Sequence, residues 1–404
     1  MNINWIKAHK ILDSRGKETI EVIINLNNKI FKASAPSGTS KSKKEVRDFS
    51  FKGINYSIEL IEKIGKEIID YGIKINEFND LEKVEDIIKK YDPTNDFHII
   101  GGNAVYALEA ALIKSFSSAN NIDVWRFLSD SKIKPNIRPI GNCIGGGKHT
   151  EISNKPEFQE FLVIPKTKKF FESCFIMNQA YKKAKEILER MNKFVGLTIE
   201  NSLVAKMNNE EILDLLIEVK ENIKENFDIS LDIGIDVAAN NFFVNNVYEY
   251  KTKMQKLSAS RQLEYIYNLI KKYNLFYVED PFHEDDFESF GKLLKLTNSL
   301  IVGDDLTATN HEIIKKAIEK KAINAVIIKP NQVGSLIKTK MAVDIAKKYG
   351  INCIISHRSG ETMDDFIADL AIAWKIPFIK TGIIGKEREI KLKRIINIEK
   401  ILNF

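Results

Sequence analysis

Hydrophobic positions near the N-terminus follow the period of a half-buried strand. Apolar residues occupy every second position of residues 20–26 and point to one face of such a strand. The pair at 27–28, two asparagines, offers a tight turn before the next apolar stretch, which predicts a β-hairpin. Helical spacing follows over residues 58–68 and 104–116. The first third of the chain therefore predicts a small α+β domain.

A different unit recurs in the second half of the chain. A short apolar run ends in a charged or polar residue, and an amphipathic helical pattern follows, as at 261–273, 311–321 and 336–349. Strands that alternate with helices at this spacing indicate a parallel sheet with right-handed crossovers. We interpret the number of units as a βα barrel, although the pattern alone also permits a doubly wound open sheet. The apolar runs are 229–236, 275–280, 300–305, 325–331, 352–359 and 377–381.

Length and composition are those of an ordinary globular protein with room for two domains. The chain has 404 residues, of which 44% are hydrophobic and 29% charged, and its apolar runs are too short to span a bilayer. Charged residues interrupt the first 17 positions, so we expect no signal peptide there. A polar stretch at 129–132, followed by Pro135 and Pro139, predicts domains at 1–130 and 137–404.

The cysteines and lysines of the chain indicate its location in the cell and the partners that it binds. The three cysteines have no metal-ligand spacing and are odd in number, which favours a reducing, cytoplasmic location. The net charge of +6 is mild, and Lys41, Lys43 and Lys44 form the one basic cluster. We interpret that cluster as solvated surface rather than a nucleic-acid site, and we expect no nucleic-acid partner.

Charged residues gather where the predicted barrel strands end. In βα barrels the reactive groups lie at the C-terminal ends of the strands, so these residues are expected to converge. Crowded carboxylates repel one another unless a cation neutralises them, and oxygen ligands suit Mg²⁺. Each residue alone could be a helix cap or a surface lysine, but their common place favours a shared site. The set is Asp236, Glu279, Asp304, Lys329, His357 and Lys380.

Motifs spread along almost the whole chain resemble those of the enolase family. The resemblance implies a modified TIM-type barrel, ββαα(βα)6, that begins near Pro139, with a smaller N-terminal α+β domain. It also implies a homodimer or an assembly of dimers. The matching segments are 11–16, 36–40, 159–161, 236–239, 278–282, 302–307, 329–334, 356–362 and 379–382.

The resemblance also implies a reaction and a role for each site residue. The reaction is the reversible dehydration of 2-phosphoglycerate to phosphoenolpyruvate, through an enolate intermediate stabilised by Mg²⁺. Lys329 would be the base, with its pKa lowered by nearby cations, and Glu200 the acid that helps hydroxide leave. The metal ligands would be Asp236, Glu279 and Asp304, with Ser40 on a second magnesium. Substrate contacts would come from His149, Glu160, Ser356, His357, Arg358, Ser359 and Lys380, of which Arg358 and Ser359 would hold the phosphate and Lys380 the carboxylate.

One catalytic segment departs from the family pattern. Where enolases have Gly-Asp-Glu-Gly-Gly or a near variant, this chain has a longer stretch in which Asn201 and Ser202 follow Glu200. Glycine permits backbone angles that other residues avoid, so we expect a different path for this loop. Two alternatives therefore remain beside a working enolase. One is another hydroxy-acid dehydratase of the superfamily, and the other is a non-catalytic paralogue.

Overall fold

The N-terminal part of the chain forms a small α+β domain. The computed structural model describes residues 2–39, 41–129, 136–150, 152 and 155–402. Asn27 and Asn28 both adopt left-handed backbone angles, with φ of 50° and 62°, as the tight hairpin turn requires, so the predicted hairpin is confirmed. The elements are β1 (Ile3–Leu12), β2 (Glu18–Leu26), β3 (Lys29–Ser34), α1 (Ile54–Asp70), α2 (Leu81–Tyr91), α3 (Gly102–Ala119) and α4 (Val124–Phe127).

The rest of the chain alternates strands and helices. The strands are β4 (Arg138–Gly145), β5 (Glu160–Lys166), β6 (Phe194–Leu197), β7 (Leu203–Ala205), β8 (Ser230–Asp236), β9 (Phe243–Val244), β10 (Val247–Tyr250), β11 (Gln255–Leu257), β12 (Tyr277–Glu279), β13 (Leu300–Gly303), β14 (Ala325–Ile328), β15 (Asn352–Ser356) and β16 (Phe378–Lys380). The helices are α5 (Phe170–Arg190), α6 (Asn209–Phe227), α7 (Ala259–Tyr273), α8 (Phe287–Leu296), α9 (His311–Glu319), α10 (Pro330–Val333), α11 (Leu336–Lys348), α12 (Phe366–Ala373) and α13 (Lys386–Leu402).

Eight of these strands close into a barrel in the order β4, β5, β8, β12, β13, β14, β15, β16. Strand β5 runs antiparallel to both of its neighbours, while the other neighbouring pairs are parallel. The pairing of β16 with β4, in which Lys380 lies opposite Ile140, closes the sheet and excludes the open doubly wound alternative. The two helices α5 and α6 separate β5 from β8, so the predicted ββαα(βα)6 order is confirmed.

The barrel interior is apolar at one level and charged at the next. Leu162, Tyr277, Val302 and Ile354 belong to a buried cluster inside the barrel. Because side chains alternate along a strand, Glu279 lies on the same face of β12 as Tyr277, two residues nearer the strand's C-terminal end. The charged groups of the barrel mouth therefore rest on an apolar floor.

The division between the two domains remains a prediction, because residues 130–135 lie outside the described part of the chain. Among the described helices, none combines the length and apolar character needed to cross a membrane. Cys143, Cys174 and Cys353 are free thiols.

The basic cluster at Lys41–Lys44 is more ordered than the sequence predicted. Lys43 is exposed, as expected of solvated surface. Lys44, in contrast, donates hydrogen bonds to the carbonyl oxygens of Glu284 and Leu306 on the barrel rim, at 2.5 and 3.1 Å. The interpretation as solvated surface is therefore wrong for Lys44, because backbone carbonyls replace water around its ammonium group.

Candidate active site

A pocket at the C-terminal end of the barrel gathers the predicted site residues. Glu279 is completely buried at the end of β12, beside Asp236 on the neighbouring strand, and Ser40 lies outside the described residues. Every other predicted residue lines the pocket: His149, Glu160, Glu200, Asp236, Asp304, Lys329, Ser356, His357, Arg358, Ser359 and Lys380.

The Lys380 ammonium group joins three carboxylates from three strands. Its Nζ lies 2.8 Å from Glu160, 3.0 Å from Asp236 and 2.7 Å from Glu279. Burial alone would lower the pKa of Lys380, but the three carboxylates outweigh burial and raise its pKa well above 10.5. Lys380 is therefore charged at neutral pH and offers a fixed cation at the floor of the pocket.

The acidic side chains at the strand ends form a donor set that suits a divalent cation. Burial, aided by the neighbouring carboxylates, raises the pKa of Asp236 to about 6 and that of Glu279 to about 8. Glu279 Oε2 contacts Tyr277 and Lys380, whereas its buried Oε1 has no hydrogen-bond partner. Buried carboxylate oxygens that repel one another, one of them unpartnered, fit a hard cation such as Mg²⁺ or Ca²⁺.

The predicted metal triad is not the tightest acidic grouping among the described residues. Closer sets of potential ligand atoms are His149 with Glu160 and Glu200, and Asp280 with Asp304 and Asp305. Lys380 contacts Asp236 and Glu279, and Lys329 contacts Asp304, so each of the three carboxylates has an ammonium partner. These ammonium groups balance part of the acidic charge that a cation would otherwise neutralise.

Lys329 follows β14 and forms an ion pair with Asp304, which follows β13. Its Nζ donates to Asp304 Oδ2, and Gln332 donates to the other oxygen at 3.2 Å. Burial would lower the pKa of Lys329, but Asp304 more than compensates, so the pKa is raised above 10.5. The lowering expected from nearby cations stays a prediction, and Arg358 and Lys380 already act in that direction.

Glu200 lies between two histidines at another side of the pocket. Its carboxylate oxygens are 3.7 Å from His149 Nε2 and 3.7 Å from His357 Nε2. Burial, with help from the Arg388 guanidinium, lowers the pKa of His357 well below 6.5, so this imidazole is neutral. Glu200 Oε2 is buried without a hydrogen-bond partner, which leaves it available to a bound molecule.

Arg358 and Ser359 supply an anion-binding corner after β15. The guanidinium of Arg358 donates to Glu45 at 2.8 Å and to the Asn331 side-chain oxygen at 3.2 Å. The Ser359 hydroxyl accepts the backbone N–H of Thr39 at 2.7 Å. A buried guanidinium with fixed neighbours is suited to bidentate contact with a phosphate or carboxylate.

Comparison with known proteins agrees with this geometry. Residues 3–128 match the family described as "Enolase, N-terminal domain", and residues 135–403 match "Enolase, C-terminal TIM barrel domain". The chain is 37% identical to the enolase of Picrophilus torridus, an alignment that covers 97% of each chain. It is 36% identical to that of Archaeoglobus fulgidus, over 100% of this chain and 98% of the relative. The chain belongs to the enolase family. Membership makes it a hydro-lyase and implies a divalent metal, for which the acidic clusters provide ligands.

The Glu200 turn differs from the enolase pattern in sequence, and the different path expected for its backbone stays a prediction. Residues 198–202 connect β6 to β7, with Thr198 N–H donating to the Ser202 carbonyl at 2.9 Å. Asn201 adopts φ = 63°, the left-handed conformation that glycine provides most easily. Asparagine tolerates that region better than most residues, so Asn201 suits this position of the turn.

Several lining residues escaped the sequence analysis. Asp280 accepts the backbone N–H groups of Asp304 and Asp305, at 3.0 and 2.6 Å, and so shapes the turn that presents Asp304. The sequence feature that could have revealed Asp280 is the acidic pair that it forms with Glu279 at the end of β12. Glu45, which contacts Arg358, lies in a segment with no strand or helix pattern and gave no such signal.

Asn331 offers a test of the anion-binding corner. Its side chain accepts from Arg358 and donates to Asn103 and to the Pro36 carbonyl, each at 3.1 Å. Asn331→Ala should release the guanidinium and raise the KM for a phosphorylated substrate about tenfold, with a smaller change in kcat. Steady-state kinetics would measure this, with the exposed Asn226→Ala as the matched control. An unchanged KM together with a lowered melting temperature would show that Asn331 serves only packing.

Proposed function

We propose that this chain catalyses the reversible dehydration of 2-phosphoglycerate to phosphoenolpyruvate, in glycolysis and gluconeogenesis. The observation that best supports this proposal is that Lys329 and Glu200 line one pocket together with Arg358 and Lys380. The reaction removes a proton and a hydroxide from a substrate that carries a phosphate and a carboxylate. It therefore requires a base, an acid and two fixed cations beside the anionic groups.

In this proposal each side chain acts on a stated part of the substrate. Arg358 and Ser359 hold the phosphate, and Lys380 contacts the carboxylate whose negative charge grows when the neighbouring carbon loses its proton. Lys329 Nζ first gives its ammonium proton to solvent as its contact with Asp304 loosens, and the neutral amine then takes the proton from that carbon. Glu200 gives a proton to the departing hydroxyl group. His149, Glu160, Ser356 and His357 line the cavity and position the substrate.

We propose Mg²⁺ as the cation and Asp236, Glu279 and Asp304 as the residues that would hold it, with Ser40 on a second ion. When bound, the metal supplies positive charge beside the carboxylate, as is established for enolase-superfamily sites that pair a lysine base with Mg²⁺. The oxygen-only donors and the unpartnered Glu279 Oε1 support this choice.

A magnesium titration of the activity tests the proposed function. Purified protein should convert 2-phosphoglycerate into a product with the ultraviolet absorbance of an enol, and EDTA should abolish the conversion. Added Mg²⁺ should restore it, because the buried carboxylates then regain their counter-charge. Conversion that is unchanged in EDTA would contradict the magnesium assignment. Folded, metal-binding protein without conversion would contradict the reaction.

The full-length match to enolases does not favour the two alternatives, another hydroxy-acid dehydratase and a non-catalytic paralogue. We further propose a cytoplasmic location, in keeping with the free thiols of Cys143 and Cys353, and no nucleic-acid partner. A homodimer, or an assembly of dimers, is proposed from family membership. Light scattering on a sizing column measures the assembly directly.

A further inference from the structure

The buried hydroxyl group of Tyr277 lies against the proposed metal ligand Glu279. Tyr277 is completely buried at the start of β12, and its hydroxyl donates to Glu279 Oε2. The same oxygen contacts Lys380 Nζ at 2.7 Å. Tyr277 and Lys380 thus fix one carboxylate oxygen, while Glu279 Oε1 has no hydrogen-bond partner.

Packing alone does not explain a tyrosine at this position. The ring belongs to the apolar cluster inside the barrel, with Leu162, Val302 and Ile354. A phenylalanine would fill that cluster without bringing a polar group into an apolar layer. Buried hydroxyl groups need a hydrogen-bond partner, and the partner here is the carboxylate of Glu279. The hydroxyl is therefore best explained by what it does to Glu279.

We propose that Tyr277 is a positioning residue for the metal site, which holds Glu279 so that its Oε1 is presented to the divalent cation. This inference rests on the proposed function of the site, because it takes Glu279 to be a metal ligand. Residues that hydrogen-bond to a metal-binding side chain fix its orientation. Loss of such a residue typically weakens metal binding by about 10- to 100-fold. Tyr277 itself needs no contact with substrate or metal in this role.

The test compares Tyr277→Phe with a matched control, Tyr250→Phe. Tyr250 is also buried, and its hydroxyl donates to the neutral side chain of Gln262 at 2.8 Å, so both variants lose one buried hydroxyl. Calorimetric titration of the metal-free proteins with MgCl₂ should give an affinity at least about tenfold weaker for Tyr277→Phe. Tyr250→Phe should bind Mg²⁺ like the unsubstituted protein. Melting curves in EDTA report whether the two variants are equally well folded.

The outcomes separate this inference from the proposed function. Equal Mg²⁺ affinity in Tyr277→Phe and the unsubstituted protein would overturn the inference and leave the function intact. Equal weakening in both variants would also overturn it, because the loss would then reflect general destabilisation. Absence of turnover in the unsubstituted protein would contradict the proposed function, while the calorimetric comparison would still decide the role of Tyr277.

Discussion

Lys329→Ala should lower the turnover of 2-phosphoglycerate by about 10³-fold or more, which is the upper range for loss of a general base. The Lys329 side chain is 14% exposed beside Asp304 at the barrel mouth, and alanine puts no base in its place after β14. The variant should also fail to exchange the carbon-bound proton of 2-phosphoglycerate with solvent deuterium. Proton NMR in D₂O measures that exchange separately from dehydration.

Lys340→Ala is the matched control for this prediction. Lys340 lies on α11, eleven residues further along the chain, and pairs with Asp344 on the same helix at 2.7 Å. It should retain both turnover and exchange. If Lys329→Ala still exchanged the carbon-bound proton at the normal rate, another group would be the base. The assignment of Lys329 would then be wrong.

The barrel was predictable from the sequence because its strands repeat one pattern. Each predicted apolar run contains a strand, for example 229–236 with Ser230–Asp236 and 352–359 with Asn352–Ser356. Five of the six predicted runs extend past the C-terminal end of their strand, because the polar residues there belong to the loops that carry the site, whereas 229–236 ends with its strand. Closure of the barrel did not follow from the pattern, since it depends on the pairing of β16 with β4.

The sequence predicted which residues line the site better than it predicted the contacts between them. Strand-end position and family motifs gave the residues that line the pocket, but they did not give the partner of each one. Lys329 lies against Asp304, a contact that the motifs did not predict, and this carboxylate raises the pKa of Lys329. Tyr277 contacts Glu279, and Asp280 contacts the backbone of Asp304, but strand-end position predicted neither contact. The spacing of residues along the sequence does not reveal which side chains on different strands contact each other.

Glu200→Gln should lower the rate of dehydration by about 10²- to 10³-fold, because the amide N–H is too weakly acidic to protonate the departing hydroxyl group. Glutamine keeps the size of the side chain and its place between His149 and His357. The substitution should leave the exchange of the carbon-bound proton largely intact, because Lys329 and its surroundings are unchanged. Both substitutions should therefore lower dehydration, but only Lys329→Ala should also abolish the exchange of the carbon-bound proton.

Glu218→Gln is the matched control, since Glu218 pairs with Arg190 on the surface, far along α6 from the turn that holds Glu200. It should be fully active. If Glu200→Gln dehydrated 2-phosphoglycerate at the normal rate, the acid would have to be another group. Loss of both dehydration and exchange would instead indicate that Glu200 organises the pocket as a whole. Only slow dehydration with retained exchange fits an acid that acts after the proton has left carbon, and that result would show that the altered turn at residues 198–202 still serves the reaction.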